Sequence, residues 1–485
     1  MKHTSLLLIC LIIHAICCQQ NTPQDIAQKI KEYIHQTHRN DIKNKNLLQS
    51  WIRQASFPGN ESGIQNIIAK TLKDDLKFDN VDVFDMSRLG DELFKNKLFR
   101  SPRTAEQLKV SPIVVGVMEP SDSCPSFVEI NTDASQINQR YKSLILNGHV
   151  DVVPIGDETQ WKHKDAFSGE YYHDGDSERI HGRGTTDMKG GIFSSLIAVQ
   201  AIQHVFNTTR LCAKLIFQSV IEEESGGSGT LAAILRGYGT ADAAIVPEPT
   251  GMKLFPRQQG SQWFRIHIYG KQAHGGTRYE GISAIEKSTT VIKSILSLEE
   301  FRNKPLRSDK MFSSLPIPVP INIGVIKGGE WPSSVCDHVV LEGRMGIIPD
   351  GKETIDSAKQ MLEQWLSKDD LIQLDSYFEK VPVRVEWFGA AWVPGHVDTE
   401  HQVVQTLQRA YETATNGQQV TVASSPWATD AGYLNTVGGT PAVVIGPGQT
   451  SLAHQLDESI SVDEIYKCGE VIALFISEWM MNLKK

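Results

Sequence analysis

The chain has 485 residues, 40% hydrophobic and 22% charged, with a formal net charge of -9 at pH 7. That length exceeds what one hydrophobic core ordinarily supports, so two domains are expected. The acidic balance argues against nucleic acid or an anionic membrane surface as a partner, and the sequence holds no internal repeat or long low-complexity tract.

At the N-terminus, Lys2 and His3 form a short basic start, residues 6–16 are apolar apart from His14, and Cys17 and Cys18 precede Gln19 and Gln20. This pattern reads as an export signal over residues 1–18. Its apolar run is too short to span a bilayer, no other run of about 20 apolar residues exists, and no membrane span is expected. Secretion or entry to the secretory pathway follows, with an uncleaved N-terminal anchor as the alternative. After the signal, Cys124, Cys212, Cys336 and Cys468 remain, too scattered for a disulfide scaffold or a metal finger, and one or two bridges stay open. Asn60-Glu61-Ser62 and Asn207-Thr208-Thr209 are glycosylation sequons for a eukaryotic host.

Residues 23–75 are predicted helical, because Ile26, Ile30 and Ile34, then Leu47, Leu48, Trp51 and Ile52, recur at three- and four-residue spacing. Strands at 143–147, 214–221 and 243–246 then alternate with helices at 190–206 and 229–236. That order predicts an α/β sheet covered on both faces. After Pro256 the texture changes. A strand at 262–269, a helix at 283–298, strands at 321–326 and 339–345, a helix at 355–365 and a strand at 383–388 follow the ferredoxin-like order. An α+β domain over 257–392 is therefore inserted into a catalytic domain made of 19–256 and 393–485. The second part carries a helix at 403–413, a strand at 441–445 and a C-terminal helix.

Five separated segments carry the chemistry. His149 follows an apolar strand, and ligands in open α/β sheets gather beyond the carboxyl ends of strands. Asp151 is placed to accept from the other imidazole nitrogen and fix its tautomer. Asp187 follows the glycine-rich run 182–184 at the mouth of a helix; it either caps that helix or bridges two metals about 3.5–4 Å apart. Glu222, Glu223 and Glu224 repel one another unless cations neutralise them, the other reading being a solvated acidic turn. Consecutive extended residues point to opposite sides, so Glu223 and Glu224 take different jobs, one as metal ligand and one as general base. Glu248 follows a buried strand between Pro247 and Pro249, and His454 follows Gly446-Pro447-Gly448, a loop whose amides are candidates for substrate contact. This mixture of nitrogen and oxygen donors suits two Zn2+ ions, with Co2+ or Mn2+ as alternatives.

These segments resemble the co-catalytic zinc metallopeptidase family that contains aminoacylase, acetylornithine deacetylase, succinyl-diaminopimelate desuccinylase and the glutamate-releasing carboxypeptidases. The match runs from about residue 60 to the C-terminus. It is nearest the acetylornithine deacetylase-like branch through Gly329-Glu330-Trp331-Pro332-Ser333-Ser334 and Leu341-Glu342-Gly343-Arg344. The resemblance implies a zinc-exopeptidase-like fold, with His149 and Glu248 on one metal, Glu224 and His454 on the other, and Asp187 bridging. It makes Glu223 the general base and proton donor, with Asp151 orienting His149. His274, within Gly270-Lys271-Gln272-Ala273-His274-Gly275, would stabilise the oxyanion, often across a homodimer. Two departures stand out. Ser334-Val335-Cys336-Asp337 replaces a motif with a substrate-binding asparagine. The usual carboxylate-binding arginine falls at Gly346, so Arg344 serves through a local bulge or is a structural ion-pair residue. The implied activity is hydrolysis of N-acyl amino acids. A metallo-carboxypeptidase or dipeptidase acting on short peptides is the alternative, and an inactive secreted binding protein the reading from another class.

Overall fold

The structure, a computed structural model, describes residues 22–121, 127–129, 138–140, 142–162, 165–209, 211–367 and 370–481. The expected signal at 1–18 and Cys124 lie outside them. Cys212 is disulfide-bonded, whereas Cys336 and Cys468 are buried and free.

The strand Ser143–His149 is buried at every position. Successive side chains alternate faces, so complete burial means that both faces are covered. It pairs in parallel with Lys214–Val220 on one side and Ala243–Val246 on the other. Ala442–Val444 continues the parallel core, Leu254–Gln258 and Gly395–His396 follow, and Pro112–Met118 and Asn80–Asp85 close the opposite edge antiparallel. Val422–Ser425 joins Leu254–Gln258 to complete a nine-stranded sheet. The helices Gly190–Val205 and Val462–Met481 pack on each other, and Ser62–Lys70 and Ser228–Ala233 pack on sheet strands. The predicted α/β architecture is present. The strands at 80–85, 112–118, 254–258 and 422–425 were not anticipated.

The inserted segment forms a second sheet, all antiparallel, in the order Ile321–Gly328, His338–Ile347, Gly260–Tyr269, Arg384–Trp392. With helices Ala284–Asn303 and Ile355–Ser367 between its strands, the ferredoxin-like order holds. Residues 23–75 are helical in separate pieces, the first being Pro23–Glu32, whose start is closed by a reciprocal Thr22–Asp25 capping box.

Helix Gly190–Val205 meets the loop that presents Glu248 at very short range. A Cβ on Gly191 would lie 1.9 Å from the Pro247 carbonyl oxygen, which only backbone displacement relieves. Gly191→Ala is therefore expected to destabilise the fold by about 1–3 kcal/mol and to weaken metal retention by moving Glu248, measured by urea unfolding and metal content. Unchanged values for both would show that the loop yields freely.

Candidate metal centre

The sequence-predicted ligands converge at the carboxyl ends of the central strands. His149, the last residue of its strand, is fully buried. Its Nε2 faces Asp187 Oδ1 at 3.1 Å, Glu248 Oε1 at 3.7 Å and Glu223 Oε2 at 4.0 Å. Its Nδ1 lies 3.0 Å from the Asp151 backbone carbonyl and 3.5 Å from the Asp151 carboxylate. Asp151 thus holds the ring mainly through its main chain. Its carboxylate instead accepts from the Glu223 and Glu224 amides, at 3.3 Å each.

Asp187 joins the two halves of the cluster, with Oδ1 facing His149 and Oδ2 lying 3.2 Å from His454 Nε2. His454 also meets Glu224 Oε2 at 3.1 Å. The helix-capping alternative for Asp187 does not describe this arrangement, because both carboxylate oxygens face imidazoles. Its own backbone is held by Glu458, whose Oε1 accepts from the Thr186 and Asp187 amides at 2.9 and 3.2 Å while Oε2 pairs with Arg183 at 2.7 Å.

Glu222, Glu223 and Glu224 lie in a turn after the strand ends at Val220, so strict alternation does not govern them. Glu223 and Glu224 both line the cavity. Glu222, at φ +63°, is the one turned away. It pairs with the buried Arg103, which also pairs with Glu61, and it accepts from Ser101 Oγ at 2.6 Å. This buried Glu61–Arg103–Glu222 triad carries the turn and was not legible in the sequence.

The cavity, about 370 Å³, lies between the two sheets and is also lined by Ser261, Arg344, Trp392 and Trp427. Arg344 reaches it without a bulge. Pairing of 260–269 with 338–347 is continuous, with Trp263 opposite Arg344 and Ser261 opposite Gly346. Residues 344 and 346 share a strand face, with no side chain at 346. A Cβ at Gly346 would meet Gln259 Oε1 at 2.6 Å. Among the described residues Arg344 makes no ion pair; its one polar contact is Gln259 Oε1 at 3.5 Å. His274 does not join the cluster in its own chain. It is exposed at the start of the turn Gly275–Glu280, where Nδ1 accepts from the Gly276 amide at 3.0 Å. In the 446–448 loop, the Gly446 and Gly448 amides donate to Thr250 and Glu464.

Electrostatics test whether metal ions fit. Burial pushes the Glu224 carboxyl up to about 7, with Asp187 adding to the effect. Burial also raises Glu223 and Glu248 well above the ordinary carboxylate value. Asp430, missed in the sequence because a residue before a short helix reads as a cap, is buried nearby and pushed up to about 7. The Asp187 and Glu224 carboxylates hold His454 up at about 10. Among the described residues the cluster's carboxylates pair only with the two imidazoles and with no lysine or arginine, so the acids outnumber the cations beside them. Ligand atoms of His149, Asp187 and Glu224, and of His149, Glu223 and Glu248, each lie within 4.8 Å of one another. Two atoms on one tetrahedral zinc lie about 3.3 Å apart, so separations of 3.1–3.7 Å fit. His149, Glu248 and Asp187 would hold one ion, and Asp187, Glu224 and His454 the other.

Known proteins are similar to this chain in sequence and in fold. The family model described as Peptidase family M20/M25/M40 matches residues 145–478. The N-formyl-4-amino-5-aminomethyl-2-methylpyrimidine deformylase of Halalkalibacterium halodurans is 30% identical over 366 residues, covering 70% of this chain and 80% of its own. The acetylornithine deacetylase of Klebsiella pneumoniae is 27% identical over 339 residues, covering 68% and 78%. A di-peptidase of Saccharomyces cerevisiae superimposes with a TM-score of 0.64 at 14% identity, covering 95% of this chain and 98% of its own, and shows the fold.

The raised carboxyls and His454 must lose protons to bind a metal, so binding releases protons. Glu224 is fully protonated below its unfolded value and ionises only as the pH approaches about 7. Zinc affinity is therefore expected to rise with pH through about 7, where Glu224 ionises, and to keep rising toward about 10, where His454 does, measured by competition with a chelator. A flat or falling dependence would contradict the assigned ligands.

Proposed function

The chain belongs to peptidase family M20/M25/M40, and on that premise we propose that it is a two-zinc amide hydrolase that deacylates N-acyl amino acids. Membership makes it a metal-dependent hydrolase acting on amide bonds. The finer reading rests on one observation, the presence in a single cavity of the ligand cluster, Glu223 and a cation without an ion pair, Arg344.

Bound metals would polarise the scissile carbonyl and bring the attacking water's pKa near neutrality. Glu223, buried in the cluster and facing the cavity, is placed to take a proton from that water and return it to the departing nitrogen. The net change adds hydroxyl to the acyl carbon and a proton to nitrogen, with no covalent intermediate. Arg344 binds the free carboxylate of the amino acid product half.

We further propose export and a homodimer. The Cys212 disulfide accords with an oxidising compartment. His274 has Nδ1 committed as an acceptor, so its neutral ring carries the proton on Nε2, a donor suited to an oxyanion in a partner's cleft. Trp331, Ile326 and Leu296, at 69%, 57% and 52% exposure, are apolar surface on the same inserted domain.

Glu223→Gln is expected to keep two zinc ions per chain and lose about 10²–10⁴ in kcat on N-acetyl amino acids, measured by metal analysis and amine release. Activity surviving in a metal-loaded variant would remove Glu223 from the mechanism. Hydrolysis of dipeptides in place of acyl amino acids by the unaltered enzyme would favour the dipeptidase reading. Mass measurement of the secreted protein in solution should give a dimer beginning near Gln19; a monomer would remove His274 from the site.

A further inference from the structure

Opposite the metal ligands, the cavity has a wall of different chemistry. Ser261 stands directly across from Trp392 on one neighbouring strand and from Gly346 on the other. It is 1% exposed, and its hydroxyl has no hydrogen-bond partner among the described residues. Trp427, from the loop after Val422–Ser425, lines the same cavity, and its buried indole N–H is likewise without an acceptor among them. Arg344 meets only Gln259, at 3.5 Å. Buried polar groups are normally paired, so two unpaired donors, beside a guanidinium with one long contact, favour a ligand that brings acceptors.

The two indoles differ in their commitments. Trp392 donates its N–H to the Glu223 carbonyl at 3.1 Å, which orients the ring as an apolar wall beside the base. Trp427 meets Phe255 edge-on at 5.9 Å, fixing one edge of its ring. Flat, rigid aromatic walls favour a flat apolar group. The volume of about 370 Å³ lies at the small end of ligand pockets, which run to about 1,000 Å³. That space holds one amino acid carrying a short acyl group.

We infer that the cleft selects N-acyl amino acids with an aromatic side chain, the carboxylate taken by Arg344 and Ser261 and the ring laid against Trp392 and Trp427. This rests on the deacylase reading and narrows its substrate class.

The test uses the zinc-loaded full-length enzyme with N-acetyl derivatives of tryptophan, phenylalanine, alanine and lysine. Aromatic substrates should exceed the alanine derivative by about tenfold or more in kcat/KM. Trp427→Leu should collapse that ratio through KM, and Ser261→Ala should raise KM for every derivative while leaving the ratio in place. A wild type that treats all four alike or favours lysine overturns the inference, as does an unchanged ratio in Trp427→Leu. Hydrolysis of the alanine derivative in those cases leaves the deacylase reading standing. If no derivative is hydrolysed, the deacylase reading itself falls, and calorimetric titration of the wild type with L-phenylalanine and L-alanine still decides the preference. Tighter phenylalanine binding supports an aromatic subsite and equal affinities overturn it.

Discussion

Burying like charges together is the constraint on which this molecule is built. Glu61 and Glu222 are buried, but Arg103 lies between them; Glu458 is buried against Arg183, and Glu353 against Arg302. Each of these carboxylates receives a permanent cation from the chain. Asp187, Glu223, Glu224 and Glu248 receive none, only two imidazoles shared among them. A low-dielectric site cannot hold several uncompensated carboxylates, so they take up protons or accept metal ions. The distribution of arginine thus separates structural acids from those left available for chemistry.

The structural acids also aim the others. Arg103 anchors Glu222 at a left-handed backbone position, and the two amides that follow donate to Asp151. Together these contacts fix the turn that presents Glu223 and Glu224 from opposite anchor points. Glu458 does the same for Asp187 by accepting its amide. In each case a carboxylate outside the cluster sets the backbone of one inside it, so substitutions remote from the cavity reach the cluster through the main chain.

The ligands were legible because each ends a strand or follows a turn, and strands buried on both faces appear as unbroken apolar runs, as at Ser143–His149. Asn80–Asp85 was not legible, since it is a short edge strand whose polar residues Asn80, Asp82 and Asp85 break both an apolar run and strict alternation. Asp430 precedes a short helix and carries no pattern beyond a cap. Arg344 was left between two roles for a different reason. Position-by-position alignment placed the usual arginine at Gly346, whereas strand periodicity puts 344 and 346 on the same face, so a shift of two residues preserves the direction of the side chain. His274 remains readable only through the resemblance, because nothing within a single chain brings it to the cluster.

Division of the cleft between two sheets has a consequence for how recognition and chemistry are joined. The candidate ligands and proposed base come from the ends of the central strands, while Arg344, Ser261 and Trp392 come from the inserted sheet. The crossings are short. Leu254–Gln258 runs into Gly260–Tyr269 through the single buried Gln259, and Arg384–Trp392 returns to Gly395–His396 through two residues. Trp392, at the end of the returning strand, donates to the carbonyl of Glu223 itself. A residue that walls the cavity is therefore hydrogen-bonded to the backbone of the proposed base. Reorienting the inserted sheet must either carry the Glu223 turn with it or break that bond, so the positions of the cavity wall and of Glu223 are coupled.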